Sequence, residues 1–156
     1  MKNFIVFASA MLLTVNCSAG NEVREKTNND TILVSKTLVQ RISLSERTRG
    51  TNRSFTISPA KVETNMNGTL TSKSLPADSW KMISDKIEQI NLDEIKSYNS
   101  PTTKRYSDAA LASVITIEKD GKTYSSSEFD SGNPPQQLRD LYMSIQNAAG
   151  TKKGGN

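Results

Sequence analysis

Over residues 38–66 apolar side chains recur at every second position. Leu38, Ile42 and Leu44 fall on one side of an extended segment, with Arg41, Ser43 and Ser45 on the other. Beyond Gly50 and Asn52, Phe55 and Ile57 alternate with Ser54, Thr56 and Ser58. A period of two marks a strand with one buried face, and two such runs around a turn predict an antiparallel pair. After Pro59 the alternation resumes at Val62, Thr64 and Met66 and stops at Asn67-Gly68, a dipeptide that suits the positive φ angles of a two-residue hairpin. A further short strand is expected over 69–73.

The period then changes. Trp80, Ile83, Ile87 and Ile90 form one helical stripe, with Lys81, Asp85, Lys86 and Glu88 towards water. Pro76 suits the first turn of this helix and Asp78 complements its dipole. Ser100-Pro101 ends any extension through Leu92 and Ile95. Leu111, Ile115 and Ile117 alternate with Ala112, Val114 and Thr116, which predicts a central strand buried on both faces. Asp120-Gly121 turns it into a partner running through Tyr124 towards Phe129. Asn133-Pro134-Pro135-Gln136 predicts a last helix, with Asn133 as N-cap and Gln136 in the reciprocal position. Its stripe is Leu138, Leu141, Tyr142 and Ile145, and Gly150 ends it. Strands, helix, hairpin and helix in that order predict an α+β domain: an antiparallel sheet of four to six strands with two helices on one face.

Composition narrows the chemistry. The chain has 156 residues, 35% hydrophobic and 23% charged, with net charge +4, no His and a single Cys. Without His, hydrolases built on a His base and His-ligated metals are excluded; with one Cys, so are thiolate zinc sites and internal disulfides. The chain begins with Lys2 and an uncharged apolar run over 4–15, the length of an export signal and too short to span a bilayer. Residues 1–16 therefore read as a signal peptide and 17–30, nearly free of apolar residues, as a solvated tether. Residues 31–149 read as the single domain and 150–156 as a frayed tail.

Cys17, just past the apolar run and followed by Ser18-Ala19-Gly20, resembles the cleavage and lipidation site of bacterial lipoproteins. Thr14 and Asn16 depart from that pattern. Cleavage after Ala19 to release a secreted protein is the alternative, since Cys17 and Ala19 also satisfy a small-x-small rule. Trp80, the 101–105 stretch Pro-Thr-Thr-Lys-Arg, Asp108-Ala109-Ala110, Tyr124 and the 129–135 stretch Phe-Asp-Ser-Gly-Asn-Pro-Pro together resemble a group of small exported lipoproteins of Bacteroidota. The resemblance implies an envelope lipoprotein or secreted domain and carries no activity with it. Asp30-Thr31-Ile32 resembles the acceptor motif for O-glycosylation in the same phylum.

Four clusters could carry chemistry. Glu128, Asp130 and Asn133 could offer oxygens to a calcium ion, which needs six to eight ligands, but Asp130 is expected instead to bond backbone N–H groups at the start of the last helix. Ser58-Pro59-Ala60-Lys61 matches the S-x-x-K nucleophile signature in a segment that reads as strand and turn. Lys104 and Arg105 could bind an anion in a loop mouth, or form a structural ion pair with Asp108. Arg47, Arg49 and Arg53 surround the Gly50 turn, and with Arg47 and Arg49 on one strand face they could present a fork to lipid or lipopolysaccharide phosphates. No aromatics lie there to stack bases, so nucleic acid is not an expected partner.

These observations favour a non-enzymatic domain, lipid-anchored through Cys17 at the cell envelope, that binds or scaffolds an envelope protein or glycan without a cofactor. The alternative is a small envelope hydrolase using carboxylates, or an inhibitor of hydrolases. Two carboxylates about 5 to 9.5 Å apart in a cleft would favour the glycosidase form of that alternative.

Overall fold

The computed structural model describes residues 38–151. Strand β1 (Val39–Arg47) pairs antiparallel with β2 (Asn52–Ser58) on one side and β5 (Ala112–Lys119) on the other. β3 (Lys61–Met66), β4 (Thr69–Ser74), β6 (Lys122–Ser125) and the two-residue β7 (Phe129–Asp130) complete an antiparallel sheet of order β4-β3-β2-β1-β5-β6, with β7 beside β5. Helices α1 (Ala77–Ile87) and α2 (Arg139–Ala149) complete an α+β fold. Among the described residues no helix is long and apolar enough to cross a membrane.

The alternating residues meet across the strands. Ile42 faces Ile57 and Ile117, and Leu44 faces Phe55 and Ile115, all buried. On this face lie Ile83 and Ile87 of α1 and Leu141, Tyr142 and Ile145 of α2, with α2 against β1, β2, β3 and α1. Both hairpin dipeptides act as expected: Asn67 and Gly68 take φ of 51° and 94°, and Asp120 and Gly121 take 52° and 73°. Gly150 caps α2 in the left-handed region.

Five expectations about the elements need correction. Leu38 is 60% exposed, because a register shift between Val39 and Arg41 puts Val39 inward instead. β5 is central, yet only one of its faces is sealed; Val114 and Thr116 are half-buried on the open face. Trp80, at the head of the predicted apolar stripe, is only half-buried at the margin of the core. Pro76 is the N-cap residue of α1 and not its first helical position. Asn133 does not cap the last helix: a 3-10 turn at Gln136–Leu138 precedes α2, Pro135 takes the cap position, and the Asn133 N–H donates to the Asp130 carbonyl. Two successive prolines remove N–H donors at the point where an Asn cap would have needed the chain to turn helical.

Candidate functional site

β1 carries its alternation one step too far for an apolar core. Glu46 has the same parity as Ile42 and Leu44, so its side chain points inward and is fully buried. A buried carboxylate is costly unless every lone pair finds a donor. Glu46 finds four. Oε2 accepts from Nε of Arg53 at 2.6 Å, and Oε1 accepts from the hydroxyls of Ser113 (3.1 Å), Ser131 (2.6 Å) and Tyr142 (3.1 Å). Arg53 stands directly opposite Glu46 in the β1–β2 register, with its guanidinium 5.9 Å from the centre of the Phe55 ring. Burial, reinforced by the Glu46 charge and opposed by the Ser131 bond, pushes the Tyr142 hydroxyl above its ordinary pKa. That hydroxyl therefore stays protonated; besides donating, it accepts from the Gly132 N–H at 2.9 Å and from Gln146 Nε2 at 2.6 Å.

A second buried carboxylate lies one loop away. Asp130 of β7 accepts at Oδ2 from the Thr102 hydroxyl (2.5 Å) and the Lys104 N–H (2.7 Å), and at Oδ1 from the N–H (3.0 Å) and guanidinium (3.1 Å) of Arg105. Burial alone would raise its pKa; the bonds from Thr102, Arg105 and Lys104 outweigh that and hold it at about 2. Arg105 also donates to the Ser100 hydroxyl and the Thr102 carbonyl, and its guanidinium stacks 4.3 Å from the centre of the Tyr106 ring. The Asp130 carboxylate thus fastens the 100–105 loop to β7 just before the Gly132–Pro135 stretch.

Between these two fastenings lies a cleft. It comprises two adjoining depressions, of about 520 and 440 Å³, that share Pro101, Pro134 and Arg139. Tyr98, Asn99, Gln136 and Gln137 line the first; Asn133, Tyr142, Met143 and Gln146 line the second. Pro101 belongs to the loop that Asp130 fastens, and Pro134 to the stretch whose Gly132 is bound by the Tyr142 hydroxyl. Asp130 is thus bonded into the loop behind Pro101, and Glu46 reaches the stretch before Pro134 through Ser131 and Tyr142.

The residues singled out in the sequence have separate places. Lys104 meets Asp130 through its backbone while its side chain stays exposed, and Arg105 pairs with Asp130 and not with Asp108. Asp108 instead lies 3.3 Å from Arg49. The three arginines do not form a fork: Arg53 points inward to Glu46, Arg47 pairs with Glu128 at 2.8 Å, and Arg49 lies beyond the end of β1. Glu128, Asp130 and Asn133 do not converge on a cation, since Glu128 is turned to Arg47 and both oxygens of Asp130 are occupied; among the described residues no group of three metal-ligating side chains occurs. Asp130 bonds N–H groups at the 3-10 turn Lys104–Ser107 and not at the last helix, a difference of strand partner that local spacing does not reveal. Ser58 and Lys61 bracket the β2–β3 turn and belong to strands, not to a helix start. Cys17, the signal and tether segments, Asp30-Thr31-Ile32 and the tail beyond residue 151 lie outside the described residues.

Glu46 has no place in the sequence reading, yet the register contained the signal. If Leu44 faces Phe55, Glu46 must face Arg53, and opposite charges at paired inward positions mark a buried ion pair. Compared with family models, with curated proteins and with solved structures, the chain matches none.

Proposed function

We propose that this chain is a cell-envelope domain, anchored by a lipid on Cys17, whose task is to bind an envelope component in the cleft walled by Pro101 and Pro134. The observation that supports binding is the use made of the two buried carboxylates. A general acid needs a carboxyl poised near the working pH and within reach of substrate. Asp130 is instead held at about 2 with both oxygens occupied, and Glu46 is sealed under four donors. Each is bonded into the structure behind one wall of a cleft of mixed polarity, an arrangement that suits a scaffold for recognition. Placement at the envelope is supported by the apolar run over 4–15 and by the position of Cys17; the membrane side, periplasmic or outer, follows the anchor.

Two measurements test this. A photoreactive residue at Gln137, in the cleft, should yield an adduct in intact cells, whereas one at Ser72, on the edge strand, should not. Equal labelling at both positions, or none at Gln137, refutes the binding reading. Cys17→Ala should move the protein out of the membrane fraction and remove an acyl mass from its N-terminal peptide. A soluble wild-type protein beginning at Gly20 or Asn21 refutes the anchor.

A further inference from the structure

We propose that the ligand of this cleft is a saccharide chain bearing carboxylates, with Arg139 as the residue that reads the charge. The inference rests on the binding reading above and assigns its chemical class.

The lining of the first depression is rich in side-chain amides. Asn99, Gln136 and Gln137 each offer a donor pair and an acceptor, the combination that neighbouring hydroxyls on a sugar ring require. Flat apolar faces come from the exposed ring of Pro101 and from Tyr98, which is half-buried and pinned by a 3.0 Å bond from its hydroxyl to the Asn91 carbonyl. A peptide added as an extra strand would need an open sheet edge. This cleft is walled by loops, 3-10 turns and one face of α2, so it offers such a peptide no open strand edge.

Arg139 supplies the sign of the charge. It is the first residue of α2, where the positive end of the helix dipole opposes a cation, and it is exposed with no carboxylate within ion-pair distance among the described residues. It also belongs to the lining shared by both depressions. Glu94, the acidic residue of the lining, borders the first depression alone, and the second has no acidic lining residue. A carboxylate in the second depression would meet a guanidinium able to bond it bidentately.

Titration of the purified full chain in detergent with trigalacturonate, galactotriose and triglutamate tests the proposal, with binding heats and backbone amide shifts as readouts. Trigalacturonate should shift the amides of Asn99, Gln136 and Gln137 and bind at least tenfold more tightly than galactotriose. Arg139→Gln should abolish that preference, and Lys122→Gln, on the remote β5–β6 hairpin, should preserve it. Equal affinity for the charged and neutral sugars, equal affinity for triglutamate, or the absence of shifts in the cleft overturns the proposal. If the sugars fail while Gln137 still yields its cellular adduct, the binding reading survives and the saccharide assignment falls.

Discussion

Replacing Asp130 by Asn exchanges one oxygen for an NH2 group and removes one charge, at a site with no spare acceptor. The amide oxygen can still serve the two donors of Arg105, but the NH2 then faces the Lys104 N–H, donor against donor, where Oδ2 accepted at 2.7 Å. The Arg105 side chain, only 8% exposed and with its Nε already lacking a partner, loses its counter-charge. Breaking a buried pair costs about 3 to 5 kcal/mol when nothing replaces the partner; the retained oxygen brings the expectation to about 2 to 4. For a domain of this size that should lower the melting temperature by roughly 10 °C. The charge component has its own signature. A carboxyl shifted from 3.8 to about 2 stabilises the fold most fully above its unfolded pKa, and that stabilisation is lost as pH falls through its folded pKa. At about 1.4 kcal/mol per unit the shift is worth at most roughly 2.5 kcal/mol. Urea unfolding followed by circular dichroism from pH 7 to pH 2 should therefore show wild type and Asp130→Asn converging below about pH 4. An Asn variant with the wild-type midpoint at pH 7, or a gap that stays constant down to pH 2, would refute the bracing role.

The arginines around the first turn should separate in the same assay. Arg47→Ser and Arg49→Ser, which remove exposed pairs, should each change stability by less than about 1 kcal/mol, whereas Arg53→Ser strands the buried Glu46 and should cost about 3 kcal/mol or more; equal effects would place Glu46 in contact with water. Trp80→Ala should cost about 1 to 2.5 kcal/mol, below the 3 to 5 of a fully enclosed aromatic, because Trp80 is half-buried, and a loss above about 4 by thermal melting would contradict that position.

Much of the fold was legible because it depends on local devices. The Asn67-Gly68 and Asp120-Gly121 hairpins, the Ile83-Ile87 and Leu141-Ile145 stripes and the Gly150 cap each act within a few residues. Three features were harder to read, for different reasons. The irregularity that turns Leu38 outward arises in pairing with β5, far along the chain. The choice of Thr102, Lys104 and Arg105 as donors to Asp130 depends on β7 lying beside β5. Glu46 is legible only through parity, as the continuation of the Ile42–Leu44 face, and its partner Arg53 emerges only from the β1–β2 register. Of the cleft, both loop stretches stood out in the sequence, 101–105 and 129–135, but their meeting is a product of the sheet.

The position of β1 also bears on when the chain can fold. β1 is the first strand described, yet it lies in the middle of the sheet, and its partners arrive late: Ser113 is 67 positions beyond Glu46, and Tyr142 is 96 beyond. Distant pairings delay folding, because a long loop must close before any contact repays its entropy. An emerging N-terminal half can form β1 to β4 as a meander but has neither β5 nor α2 to cover Ile42 and Leu44. In the export reading, such a chain stays open enough to thread through a translocation channel and acquires its core only once its last helix is across.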